Sequence, residues 1–88
     1  MGRRIRAAAV EQLLVDGGHK FSDFTDGDWE PGLRVAQAGP RQVNVFYDGP
    51  GDGDRLDFLT PRLRAAGCHV HHTQMSGGGR HRLEVTRP

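Results

Sequence analysis

The chain has 88 residues, 35% of them hydrophobic, with one cysteine and a net charge of +1. That suffices for one small domain with a thin core, excludes an intramolecular disulfide, and leaves no partner dictated by bulk charge. No apolar run approaches the roughly 20 residues that cross a bilayer. Glu11 and Gln12 interrupt the N-terminal apolar stretch, so Arg3, Arg4 and Arg6 do not introduce a signal peptide, and the expectation is a cytoplasmic protein with no membrane contact.

Residues 3–16 read as an amphipathic helix. Ile5, Ala9 and Leu13, with Val10 and Leu14, recur at three- and four-residue spacing, and Gly17-Gly18 supplies the stop. From His19 to Gly32 the chain is polar and turn-rich. It reads as a long connection pinned to the core by Phe21, Phe24 and Trp29, with room for a short strand near Phe21 to Phe24. A hairpin follows, in which Leu33 and Val35 alternate with polar residues, as do Val43, Val45 and Tyr47. A three-residue loop, Ala38 to Pro40, would set Leu33 opposite Val45 and Val35 opposite Val43.

Gly49 to Gly53 then leads into a second helix over about 54–66, with Asp54 as the N-cap, Gly67 as the stop and Pro61 placed to kink or divide it. A second hairpin, 69–75 and 80–86 around a Ser76 to Gly79 turn, closes the chain. Its even loop pairs residues whose numbers sum to 155, which gathers Val70, Leu83 and Val85 on one face. The order α-β-β-α-β-β predicts a single α+β domain, 1–88: a four-stranded, mostly antiparallel sheet with two helices packed on one face. Its core would draw on Ile5, Val10, Leu13, Leu14, Leu33, Val35, Val43, Val45, Tyr47, Leu56, Leu59, Leu63, Val70, Leu83 and Val85, with the three aromatics of the connection.

Four of the five histidines, His69, His71, His72 and His81, lie close together beside Cys68. Imidazoles and a thiol at such spacing suggest a transition-metal site. Strand alternation argues against it, because His69 and His71 point one way and Cys68 and His72 the other. Only His69 and His71 with Glu84 could converge, so neither a metal nor another cofactor is expected; His72 reads as a rim or core histidine and Cys68 as a small buried hydrophobe. The Gly49-Pro50-Gly51-Asp52-Gly53-Asp54 loop sits where phosphate loops sit, but it lacks the lysine, and its aspartates would repel phosphate. Calcium-loop spacing is missing too, and no nucleophile, base and acid can be placed in one cleft, so no catalytic residue is expected.

Charge is segregated along the chain. Residues 16–30 and 48–57 are acidic, while Arg3, Arg4 and Arg6 open the chain and Arg62, Arg64, Arg80, Arg82 and Arg87 lie between residue 62 and the end of the sequence, against one acid, Glu84. The outward face of the last hairpin would carry His69, His71, Thr73, Met75, Arg80, Arg82, Glu84 and Thr86. The expectation is a small, non-enzymatic regulatory protein that binds nucleic acid, DNA or RNA, through this face. Arg80 and Arg82 would contact phosphates or bases, Arg3, Arg4 and Arg6 would add backbone contacts, and His69 and His71 would gain charge below about pH 6.5. The alternative is a protein-interaction module, accessory, inhibitory or homodimerising, that uses the acidic segments with Phe46 and Met75.

Overall fold

The computed structural model describes residues 3–25, 28–75 and 77–88, with the backbone alone for 23–25 and 28–30. The fold is α+β. Helices α1 (Ala7–Asp16) and α2 (Asp52–Ala65) cover one face of a four-stranded antiparallel sheet. The sheet comprises β3 (Gly32–Gly39), β4 (Gln42–Asp48), β5 (His69–Gln74) and β6 (His81–Thr86), in the order β3-β4-β6-β5. A separate ribbon of β1 (Asp23–Thr25) and β2 (Asp28–Glu30) occupies the stretch expected as a connection, with Phe24 paired to Trp29. The expected pinning by the Phe24 and Trp29 side chains lies outside the described residues.

Both helices stop where glycine allows the chain to turn left-handed. After α1, Gly18 (φ 79°) donates to the Val15 carbonyl and His19 to that of Leu14. After α2, Gly67 (φ 91°) donates to Arg64 and Cys68 to Leu63, so each helix closes in the double hydrogen bond of a Schellman motif. The helix starts differ from expectation. Residues 3–5 are not helical: Arg3 bridges Arg87, and Ile5 donates its N–H to the Pro40 carbonyl. Arg6 takes the N-cap position without a side-chain bond. Gln37, from β3, does the capping instead: its Oε1 accepts from the Ala7 N–H (2.8 Å), while its Nε2 donates to the Ile5 carbonyl (2.7 Å). Helix α2 begins two residues before the expected Asp54 cap, with Gly51 at the N-cap, and it runs through Pro61 undivided.

The core unites Val10 and Leu14 of α1, Leu56, Leu59 and Leu63 of α2, and Leu33, Val43, Val45, Val70, Leu83 and Val85 of the sheet, together with Ile5 and Cys68 from the segments before α1 and β5. Val35, Tyr47 and Phe21 pack against it half-buried, whereas Leu13, expected inside, is exposed. The closing hairpin has the expected register, Val70↔Val85, His72↔Leu83 and Gln74↔His81. The first hairpin does not. Its turn is Pro40-Arg41 with an irregularity between Gln37 and Gly39, and its pairs are Leu33↔Tyr47, Arg34↔Phe46, Val35↔Val45 and Gln37↔Val43. The expected pairing was two residues away. Such a slip keeps every apolar side chain on the same face, so hydrophobic patterning alone cannot exclude it.

Candidate functional site

Among the described residues, no helix packs on the sheet face opposite α1 and α2. By alternation that face carries Arg34 and Ala36 of β3, Asn44 and Phe46 of β4, Arg82, Glu84 and Thr86 of β6, and His69, His71 and Thr73 of β5. The ladder between β4 and β6 runs from Val43↔Val85 to Val45↔Leu83 and stops there. Beyond that point lies a wide hollow of about 630 Å³, lined by Tyr47, the Asp48 to Asp52 loop and Gly78 to Arg80. Phe46 and Arg82 sit at this fork.

Phe46 is the centre of the arrangement. The Arg34 guanidinium lies 4.4 Å from its ring centroid and that of Arg80 lies 5.8 Å away. Cations over an aromatic face are attracted by the ring quadrupole, and two planar guanidiniums held this way form a platform. Asp48 fixes it: its Oδ2 accepts from Arg34 Nε (3.0 Å) and Ser22 Oγ (3.1 Å), and its Oδ1 accepts from Arg80. Burial works to raise the Asp48 pKa, but the hydrogen bonds from Arg80, Arg34 and Ser22 and the Arg34 charge outweigh it and leave the carboxyl below its ordinary value. Arg82 pairs with Glu84 at 3.2 Å, and Gln42 donates to the same Glu84 oxygen. Arg82 Nε is enclosed and, among the described residues, meets no acceptor. An enclosed donor left unpaired is uncommon in a folded protein.

His69 and His71 are exposed on this face, with Thr86 opposite the first and Glu84 opposite the second. Arg80, Arg82, His69 and His71 thus share the open face, as expected. The N-terminal arginines do not join them. Arg3 and Arg87 line a hollow of about 640 Å³ with α1 and Cys68, on the helix side and at the far end of β6 from Arg80. The seven positions from Arg80 to Arg87 span about 23 Å of strand. Arg4 and Arg6 flank buried Ile5 beside Gln37, Gly39 and Pro40 at that same end.

The other two clustered histidines lie on the helix side, tied to α2. His72 Nδ1 is 2.6 Å from Asp57 Oδ1, and His72 Nε2 is 2.9 Å from His81 Nδ1. With Asp57 ionised, one consistent arrangement has His72 donate to Asp57 and His81 donate to His72. The His81 N–H also donates to Asp52 Oδ2. That bond, opposed by burial and aided by the Gly53 N–H and the charges of His81 and Arg80, lowers the Asp52 pKa. Asp52 and Asp57 are therefore occupied in joining the closing hairpin to α2. Burial pushes the Cys68 thiol pKa up against the opposing charge of Arg87, which suits an unreactive packed side chain. Among the described residues, no group of three or more His, Cys, Asp and Glu side chains is placed to hold a metal ion, and no helix is long and apolar enough to cross a membrane.

Sequence reasoning missed Arg34 and Asp48 and left Phe46 as a lone exposed aromatic. In the expected register Arg34 faced Asn44, and the stack with Phe46 appears only in the observed one. Comparison with known proteins adds no relative. No protein-family model, curated protein or solved structure matches the chain.

Proposed function

We propose that the open sheet face binds single-stranded nucleic acid, and that the protein is a small non-enzymatic regulator acting through this contact. The observation that carries the reading is the Phe46 ring with the Arg34 and Arg80 guanidiniums on it, on the sheet face opposite the helices. Aromatic platforms flanked by arginine accept bases of any sequence by stacking, while the cations follow the phosphates. Arg82, its side chain 39% exposed beside Glu84, adds a further cation to the same face. His69, His71, Thr73 and Thr86 extend the polar track across β5 and β6. The platform favours a single strand over a duplex, because a ring face stacks on an unpaired base, which a duplex keeps inside its own stack.

The test is titration of a labelled oligothymidine and a matched duplex at 50 and 200 mM salt. The reading expects tighter binding of the single strand, loss of affinity with salt, and weakening of about tenfold in Phe46→Ala, one stacked base being worth roughly 1–3 kcal/mol. An unaltered affinity in Phe46→Ala, or no binding at 50 mM salt, sinks it.

A further inference from the structure

A second concavity lies on the opposite side of the first hairpin, between α2 and the β3–β4 strands. Leu33, Tyr47, Phe58, Leu59, Pro31 and Arg55 line a half-open hollow of about 270 Å³. Phe58 is 59% exposed, an unusual position for a phenyl ring on a helix that buries three leucines. Two guanidiniums are stacked here as well: Arg62 lies 4.7 Å from the Phe58 centroid and Arg55 lies 5.5 Å from that of Tyr47. Among the described residues neither arginine has a carboxylate partner, whereas Arg34, Arg80 and Arg82 all do. His19 meets Phe58 edge-on at 6.5 Å. Burial, and then the charge of Arg62, lowers its pKa, so at neutral pH it presents an uncharged ring edge.

The geometry points to a binding site for a small aromatic anion, a single ring bearing a carboxylate or phosphate, seated between Tyr47 and Phe58 with its charge on Arg55. This inference is independent of the nucleic-acid reading, which uses the other face of the same hairpin. The ring portion fits an apolar floor of leucine, proline and aromatic surface, and the volume, just below the usual range for drug-sized ligands, limits it to about one ring. The anionic portion follows from the arginines. A guanidinium stacked on a ring keeps its in-plane N–H groups at its edge, already oriented, and these bind a carboxylate or phosphate in bidentate fashion. No carboxylate stands among the described lining residues to compete.

The experiment is an amide and aromatic NMR titration of the full chain with sodium benzoate, with benzyl alcohol as the ring without charge and acetate as the charge without ring. Benzoate is expected to give saturable shifts at Leu33, Tyr47 and Phe58 with a Kd of about 1 mM, and the other two to bind at least about tenfold more weakly. Arg55→Gln, an exposed position whose spectrum elsewhere reports an intact fold, should bring benzoate down to the level of benzyl alcohol. Equal affinity for benzoate and benzyl alcohol, no saturation at the lining residues, or wild-type benzoate affinity in Arg55→Gln would each overturn the assignment. Shifts confined to the Phe46 face would do the same.

Discussion

Replacing Asp48 with asparagine should weaken the fold and strengthen nucleic-acid binding together. Among the described residues, Asp48 is the one carboxylate that holds both Arg34 and Arg80 against Phe46, and its side chain is only 17% exposed. Asparagine is nearly the same shape and keeps an oxygen for Ser22, but it removes the charge and turns an amide donor toward one guanidinium. Each pair has one largely screened partner, since Arg34 and Arg80 are 44% and 51% exposed. At roughly 0.5 kcal/mol per pair the loss is about 1 kcal/mol. In a domain of this size that lowers Tm by about 4–8 °C.

The same change frees two guanidiniums at the platform and raises net charge by one unit. If both reach phosphate, two contacts of about 0.5 kcal/mol tighten single-strand binding about fivefold at 50 mM salt. The slope of log K against log salt should steepen by up to about 1.4, each added phosphate contact contributing about 0.7. Fluorescence anisotropy over a salt series, with calorimetry or circular dichroism for Tm, reads both effects. A pH series adds a sign. Because the folded pKa of Asp48 is depressed, its contribution to stability is present above the unfolded value, near 4, and is lost as pH falls through the lower folded value. The stability gap between wild type and Asp48→Asn should therefore close below about pH 4. A variant that folds normally yet binds no better at low salt would refute the idea that these arginines meet the strand.

Other expectations are more local. Gln37→Ala removes the side chain that caps α1 from the neighbouring strand; it should cost about 1–2 kcal/mol in chemical denaturation, and no measurable loss would show that the cap is dispensable. Gly32→Ala should be more damaging, since a Cβ there would lie 2.4 Å from the Phe21 carbonyl carbon, where Lys20 to Ser22 cover the β3 edge; a Tm drop above about 10 °C is expected, and an unchanged Tm would mean that this edge contact is loose. The depressed His19 pKa implies that the unfolded chain takes up the proton more readily. Stability should fall as pH drops below about 6.5, and His19→Phe should flatten that part of the profile.

What could be read from the sequence and what could not divides at the two hairpins. The closing hairpin was legible because the correct pairing gathers Val70, Leu83 and Val85, and a slip of one residue would turn arginines into the core. That alone settled which histidines face out, and it split the cluster between the two faces of the sheet. Patterning was blind to the partnership of His72 with Asp57, because Asp57 reads as an ordinary first-turn acid until α2 is laid across β5. It was blind for a different reason in the first hairpin. Pairings two residues apart bury the same valines, so the choice falls to local chemistry at the turn: the two-residue Pro40-Arg41 reversal, the irregularity after Gln37, and the bonds from Gln37 to Ile5 and Ala7. That choice decides whether Arg34 stands beside Asn44 or beside Phe46. The proposed binding platform is therefore set by turn geometry and a helix cap some distance from it, and a mutation that shifts the turn would dismantle the platform without touching any residue in it.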